Sequence, residues 1–402
     1  MSPRSRVAAV ALLAAAALTG CGVVGSPTSV PTWVPKPQAL PPVGEPEPQL
    51  PGQPLPGPQG PGGQPGPGQS GQPTPGGADD PNVLASKLRE PWGLAVLPDG
   101  NAIVGERPTG RVLRVHLDRS PPDVVQTIGG LDSTGDGGLL GIALSPAYTE
   151  DRLVFAYVTT KTDNRIVKFE LGGAPSPVLV GIPKGKTGNG GRIAFGPDGA
   201  LYVGTGDAGR PQLAQDPRSL GGKILRVNEF GHAAQDNPTS GSAVYSRGHG
   251  SVTGLCWTDD RSMFATENAG TDGEVNRVGA GRNYGWPTVR GGQVRAGYVA
   301  PELTVPAATG PVGGCAVVGF GLFVATLAGK KLLGVPLGGN GDPGTPKSIL
   351  TNTYGRLRTV EAAPDGALWL TTANRDGRGT PVPTDDRVIR IEPPPESTTS
   401  PV

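Results

Sequence analysis

Charge and aromatic residues are scarce in this chain of 402 residues: 17% are Asp, Glu, Lys or Arg, 5% are Phe, Trp or Tyr, and the formal net charge is +1. No strong field of one sign is available to attract a polyanion, which excludes a nucleic-acid partner. Long apolar runs are missing after residue 20, so no later segment can cross a bilayer. Helix-friendly stretches are missing too. The 66 Gly and 46 Pro, more than a quarter of the chain, cost about 1 and 3 kcal/mol per interior helical position relative to Ala. What remains is a turn-rich all-β fold, a disordered chain, or one joined to the other.

The two are joined. Residues 1–20 read as a lipoprotein signal peptide: Arg4 and Arg6 precede the apolar stretch Val7–Leu18, which is too short for a membrane span, and Leu-Thr-Gly-Cys ends it at Cys21. This ending resembles the bacterial lipobox, which implies that Cys21 is acylated and holds the protein to a lipid bilayer at the outer face of the cell membrane. Residues 21–80 are a Pro/Gly-rich linker with one aromatic, Trp33, and no Gly-X-Y period, hence a disordered tether rather than collagen. Residues 81–393 carry short Val-, Ile- and Leu-rich runs cut by Gly and Asp, the text of one folded domain, and 394–402 form a disordered tail. With Cys21 used by lipid, Cys256 and Cys315 remain. Two states are open for them, a disulfide or two free thiols packed as small hydrophobes.

The folded region repeats. Segments starting at Gly93, Gly138, Gly191, Gly254, Gly314 and Arg358 each read as strand, tight turn, strand, with Pro-Asp-Gly at 98–100, 197–199 and 364–366. Each is followed by an alternating third strand, as in RVLRV at 111, KILRV at 223 and RVIRI at 387. Six copies of about 45–60 residues with room for a fourth strand predict a six-bladed β-propeller. Because the first two strands of a blade are antiparallel, residues before the first and after the second share one end, the mouth. That end gathers Asp136, Asn189, Arg192, His249, Ser251, Arg356 and Arg358 from strand starts. From strand ends it gathers Arg107, Asp207, Glu267, Asn268, Lys330 and Asp376, among others. His249 is its one histidine, since His116 falls at the opposite end and His232 in a long connection.

The strings GGLLGIALSP (137–146), GGRIAFGPDGALYVGTGD (190–207), GGKILRVN (221–228), EVNRVGAGRNYGWP (274–287) and YGRLRTVEAAPDGALWLTTANRDGRGTP (354–381) resemble the glucose/sorbosone dehydrogenase family. Its members are six-bladed propellers that oxidise sugars with pyrroloquinoline quinone (PQQ) and Ca²⁺. The lipobox and tether are similar to the family's actinobacterial lipoprotein branch. The resemblance implies a quinone clamp at Arg356 and Arg358, further cofactor contacts at Asn189, Arg192, Ser251 and Lys330, and Ca²⁺ on the carbonyls of Ala269 and Gly270. It also implies a histidine base before the third blade, but Gly188 stands at that position. The family's Arg and Asn after His249 are Gly250 and Ser251, and its Gln before GLLG is Asp136.

Two functions follow from these departures. One is a binding or interaction lipoprotein, with a sugar or cell-wall glycan as ligand, that has lost the catalytic base. The other is an active PQQ- and Ca²⁺-dependent aldose dehydrogenase that uses Asp136 or His249 as the base. Arg356 and Arg358 could instead pair with Asp376 or Glu361 as structural ions, and Asp207 and Glu267 could cap backbone amides.

Overall fold

The computed structural model describes residues 75–77 and 79–392. The signal peptide, Cys21, nearly all of the linker and the tail lie outside the described residues. Six four-stranded antiparallel sheets stand around one axis. The hairpins expected from the repeat are the first two strands of each blade: Pro91–Val96 and Ala102–Glu106 in blade 1, Leu139–Leu144 and Leu153–Thr159 in blade 2, Gly190–Phe195 and Leu201–Thr205 in blade 3. Blade 4 has Val252–Trp257 and Met263–Ala269, blade 5 Val312–Val318 and Gly321–Thr326, and blade 6 Leu357–Ala362 and Leu368–Thr372. In the Pro-Asp-Gly turns the aspartates do what the sequence suggests. Asp99, Asp198 and Asp365 each accept the backbone N–H two residues on, and the glycines between lie at φ 84°, 77° and 80°.

Third strands pack on both sides between neighbouring blades: in Arg111–Val115, Val112 enters the cluster against blade 2 while Leu113 and Val115 enter the one against blade 6, and the two arginines are half-buried. Successive blades press face to face, with one apolar cluster at each of the six junctions. The ring is closed by pairing that the repeat did not disclose. Val83–Ala85, from the start of the domain, supplies the outer strand of blade 6 by pairing with Val388–Ile391. Cys256 and Cys315 are joined in a disulfide that staples the inner strands of blades 4 and 5 within their shared cluster. Among the described residues helix is confined to single turns, Tyr148–Asp151 and the 3-10 turn Pro211–Ala214.

One irregularity recurs and matters for the site. The inner strand of every blade loses register near its mouth end, between Pro91 and Leu94, Leu139 and Ile142, Gly190 and Arg192, Val252 and Gly254, Val312 and Cys315, and Leu357 and Thr359. Such bulges turn one side chain out of the pleat. They also let neighbouring backbones meet: a Cβ at Gly141 would stand 2.3 Å from the carbonyl oxygen of Gly191.

Candidate functional site

A cavity of about 630 Å³ opens at the mouth, lined by strand starts (Trp92, Asp136, Gly188, Ser251, Thr253, Arg358) and strand ends (Arg107, Asp207, Asn268, Gly270, Asp376). The end assigned from strand direction is therefore the concave one. Its size is in the range of small-molecule sites. Its wall is built from carbonyls, amides and charged groups, with Trp92 and Trp286 as its aromatic surfaces.

The rim of blade 6 supplies cations. Arg356 and Arg358 flank Leu357 in sequence, and strict alternation would aim both the same way. The bulge between Leu357 and Thr359 separates them. Arg356 turns back into the protein, donates to the Ala373 carbonyl at 3.2 Å and pairs with Asp376 at 2.7 Å, both side chains being buried. It does not line the cavity, which corrects half of the expected clamp. Arg358 does line it. Its charge partner is the same Asp376, 3.6 Å away, beyond hydrogen-bond reach. Burial, opposed by Asp376, pushes the Arg358 guanidinium down to about 10. A desolvated guanidinium that lines an open cavity suits a carboxylate-bearing planar ligand such as a quinone cofactor. Arg107 is more committed: it pairs with Glu90 at 2.5 Å and donates to the Gly135 and Gly137 carbonyls.

The rim of blade 3 supplies Gly188 and a carboxylate, Asp207. Gly188 sits at φ 69°, and a Cβ there would stand 2.5 Å from Asp207 Oδ1. Asp207 is held from two sides, Oδ1 accepting the Gly209 N–H and Oδ2 accepting the Trp286 indole N–H, each at 2.8 Å. Burial raises its pKa against these two bonds. Trp286 is itself fixed, its N–H on the Gly248 carbonyl and its carbonyl accepting from Gln215. The sequence left Trp286 among family text with no role, because it lies in a connection between strands rather than at a strand end. Asn189 reaches the cavity, yet its side chain is spent on Asn164 and on both backbone groups of Gly185.

Other expected site residues are moved. His249 is fully buried, with Nδ1 2.9 Å from Glu267, Nε2 2.8 Å from the Ser246 hydroxyl and its ring stacked on Tyr284. It cannot reach a substrate in the cavity, so it is withdrawn as a base. Glu267 meets His249 and caps the Gly250 N–H, the structural role left open for it. Lys330 is exposed and borders a separate pocket beside Tyr354 and Asn374, so it is not the cofactor contact expected of it in this cavity. Arg192 lies below the cavity, 2% exposed, and is not a direct contact. Ser251 and Asp136 are where the sequence puts them. Asp136 is open to solvent, and the Arg378 guanidinium of blade 6 leans to within 3.7 Å of it.

Of the two residues assigned to Ca²⁺, Gly270 is at the hairpin turn and lines the cavity, whereas Ala269 is buried and pairs with Asp272. Among the described residues no three His, Cys, Asp or Glu side chains come together as a metal-binding group. A hard cation here would rest on backbone carbonyls, water and the cofactor's own oxygens.

The family model described as "Glucose / Sorbosone dehydrogenase" matches residues 88–381. The PQQ-bound aldose sugar dehydrogenase of Streptomyces coelicolor is 43% identical, with a TM-score of 0.75 over 77% of this chain and 96% of that one. Quinoprotein glucose dehydrogenase B of Acinetobacter calcoaceticus is 30% identical over 269 residues, 57% of this chain. The match spans 56% of that protein, so this chain covers about half the length of that curated relative. The aldose sugar dehydrogenase of Escherichia coli is 28% identical over 73% of this chain and 90% of that protein.

Proposed function

The chain belongs to the glucose/sorbosone dehydrogenase family, and from that premise we propose a quinone- and sugar-binding propeller, lipid-anchored through Cys21 at the outer face of the cell membrane, in which binding has outlasted oxidation. One observation carries the reading. Gly188, which stands where the family resemblance implies the base, has a left-handed backbone, with Asp207 where a side chain would begin. A histidine there would need both a strained φ and displacement of Asp207. The wall is shaped to a glycine.

When bound, a quinone supplies a two-electron acceptor. The chain's own residues divide the remaining work. Arg358 offers bidentate donors to a carboxylate, Trp92 and Trp286 give flat apolar surfaces, and the Ser251 and Thr253 region gives a polar wall for a hydroxyl-rich ligand such as an aldose or a cell-wall glycan. Proton removal from a sugar hydroxyl has no histidine to perform it, and such assistance is worth about 10²–10⁴-fold.

A second reading, weak aldose oxidation, is favoured by Asp207. It is a cavity-lining carboxylate whose pKa is raised by burial, which is the direction a general base at neutral pH requires. Calorimetric titration with PQQ in the presence of Ca²⁺, then with an aldose, followed by dye reduction on the same sample, separates the two. Binding without dye reduction is the expected result; robust reduction would promote Asp207. For the anchor, Cys21→Ala is expected to move the protein to the soluble fraction, and unchanged membrane association would refute lipidation there.

A further inference from the structure

Below the cavity floor, one side chain crosses the centre of the propeller. Arg192, third residue of the blade 3 inner strand, donates from Nε to the Thr253 carbonyl of blade 4 at 3.0 Å and from Nη2 to the Thr359 hydroxyl of blade 6 at 2.9 Å. Its Nη1 pairs with Glu361 of blade 6 at 3.0 Å, and its guanidinium carbon lies 4.8 Å from the centre of the Trp92 ring of blade 1. Toward blade 5, Nη2 is 2.9 Å from where a Cβ on Gly314 would stand. The Thr359 hydroxyl in turn donates to the Trp92 carbonyl at 2.6 Å. Trp92 and Thr253 line the cavity, and both are second residues of their inner strands, one step nearer the mouth than Arg192. Glu361 is the fifth residue of its strand and lies deeper, with a third of its side chain open to solvent.

We propose that Arg192 is a positioning residue on the propeller axis: it fixes the cavity floor made by Trp92 and Thr253, and it transmits to that floor the charge state of Glu361 on its far side. The physical argument is one of compensation. A fully buried guanidinium needs a counter-charge, and Glu361 is the carboxylate that supplies it. Burial raises the Glu361 carboxyl to about 7, with Arg192 opposing that rise. Arg192 is the charged group that faces Glu361. Its cross-strand partner Trp369 and its neighbour Thr359 are neutral. Above neutral pH the pair is balanced; below it, an uncompensated positive charge lies against the Trp92 ring. This inference does not depend on turnover or on a bound cofactor.

The test uses the ligand-free full chain labelled with 5-fluorotryptophan, the Trp92 resonance being assigned by Trp92→Phe. In the wild type that resonance is expected to shift with a midpoint near pH 7, and in Glu361→Gln, which keeps Arg192, the shift is expected to vanish. Infrared titration of the Glu361 carboxyl reads the other half of the coupling: Arg192→Met should move its midpoint up by about one to three pH units. A Trp92 shift that persists in Glu361→Gln would overturn the proposal. So would a Glu361 carboxyl that titrates in the ordinary range with and without Arg192. If Arg192→Met does not fold, the Glu361→Gln comparison decides alone.

Discussion

The rims of blades 3 and 6 face each other across one cavity and carry different candidate groups. Blade 6 keeps two arginines and Asp376, and the bulge between Leu357 and Thr359 sets one arginine to structure and the other to the cavity. Blade 3 keeps Asp207 and its indole partner but places Gly188 where the base is expected. Arg358 and Asp207 therefore line one cavity from opposite blades. The two groups sit on separate rims and can vary one at a time, although below them Arg192 of blade 3 bonds to Thr359 and Glu361 of blade 6.

The sharpest break in this comparison is within blade 6. Arg356→Ala leaves Asp376 buried beside a lost partner, and breaking such a pair costs about 3–5 kcal/mol. Denaturant unfolding should show that loss, with quinone affinity in the folded fraction little changed. Arg358→Ala should do the reverse. Charge-assisted hydrogen bonds are worth about 1.5–3 kcal/mol, so PQQ affinity is expected to fall roughly 10–100-fold by absorbance titration while unfolding midpoints stay put. If both variants lose affinity equally, the division of labour drawn from the bulge is wrong.

On blade 3, Gly188→Ala should destabilise by about 1–3 kcal/mol, since it forces φ 69° on an alanine and pushes on Asp207. An unchanged midpoint would show that the wall tolerates a side chain, and the case for a built-in glycine would fall. Trp286→Phe is expected to have the smallest effect, about 1 kcal/mol. Its signature is in pH. Burial already raises Asp207, so the folded state holds that proton to higher pH than the unfolded chain does. Ionising it costs stability as pH climbs from the unfolded value through the folded one. The indole bond favours the ionised form; without it the folded pKa rises further and the window extends upward. An infrared carboxyl band that persists to higher pH in Trp286→Phe would show this.

Much of the molecule is legible in its sequence because a propeller is written six times. The Pro-Asp-Gly turns and alternating third strands report local chemistry, and strand direction alone puts Asp136, Asp207, Ser251 and Arg358 at one end. The illegible parts are non-local. Register shifts at the mouth leave no clear mark in the text, so Arg356 and Arg358 read as equivalent. His249 and Arg192 are polar residues at strand starts, and only the packed structure shows their partners in neighbouring strands and blades. Trp286 comes to Asp207 from 79 residues away. The strand Val83–Ala85 closes blade 6 from the far end of the domain, a pairing no repeat could announce.

The most direct test of binding without oxidation is the spectrum of PQQ bound to wild-type protein with Ca²⁺, followed after an excess of aldose is added with no external electron acceptor. The expected outcome is a bound-quinone spectrum that does not change over minutes, with Arg358→Ala failing to form it at the same concentration. Conversion of that spectrum to the reduced form on adding sugar would contradict the account and show that Asp207, or another group at this mouth, still removes the proton.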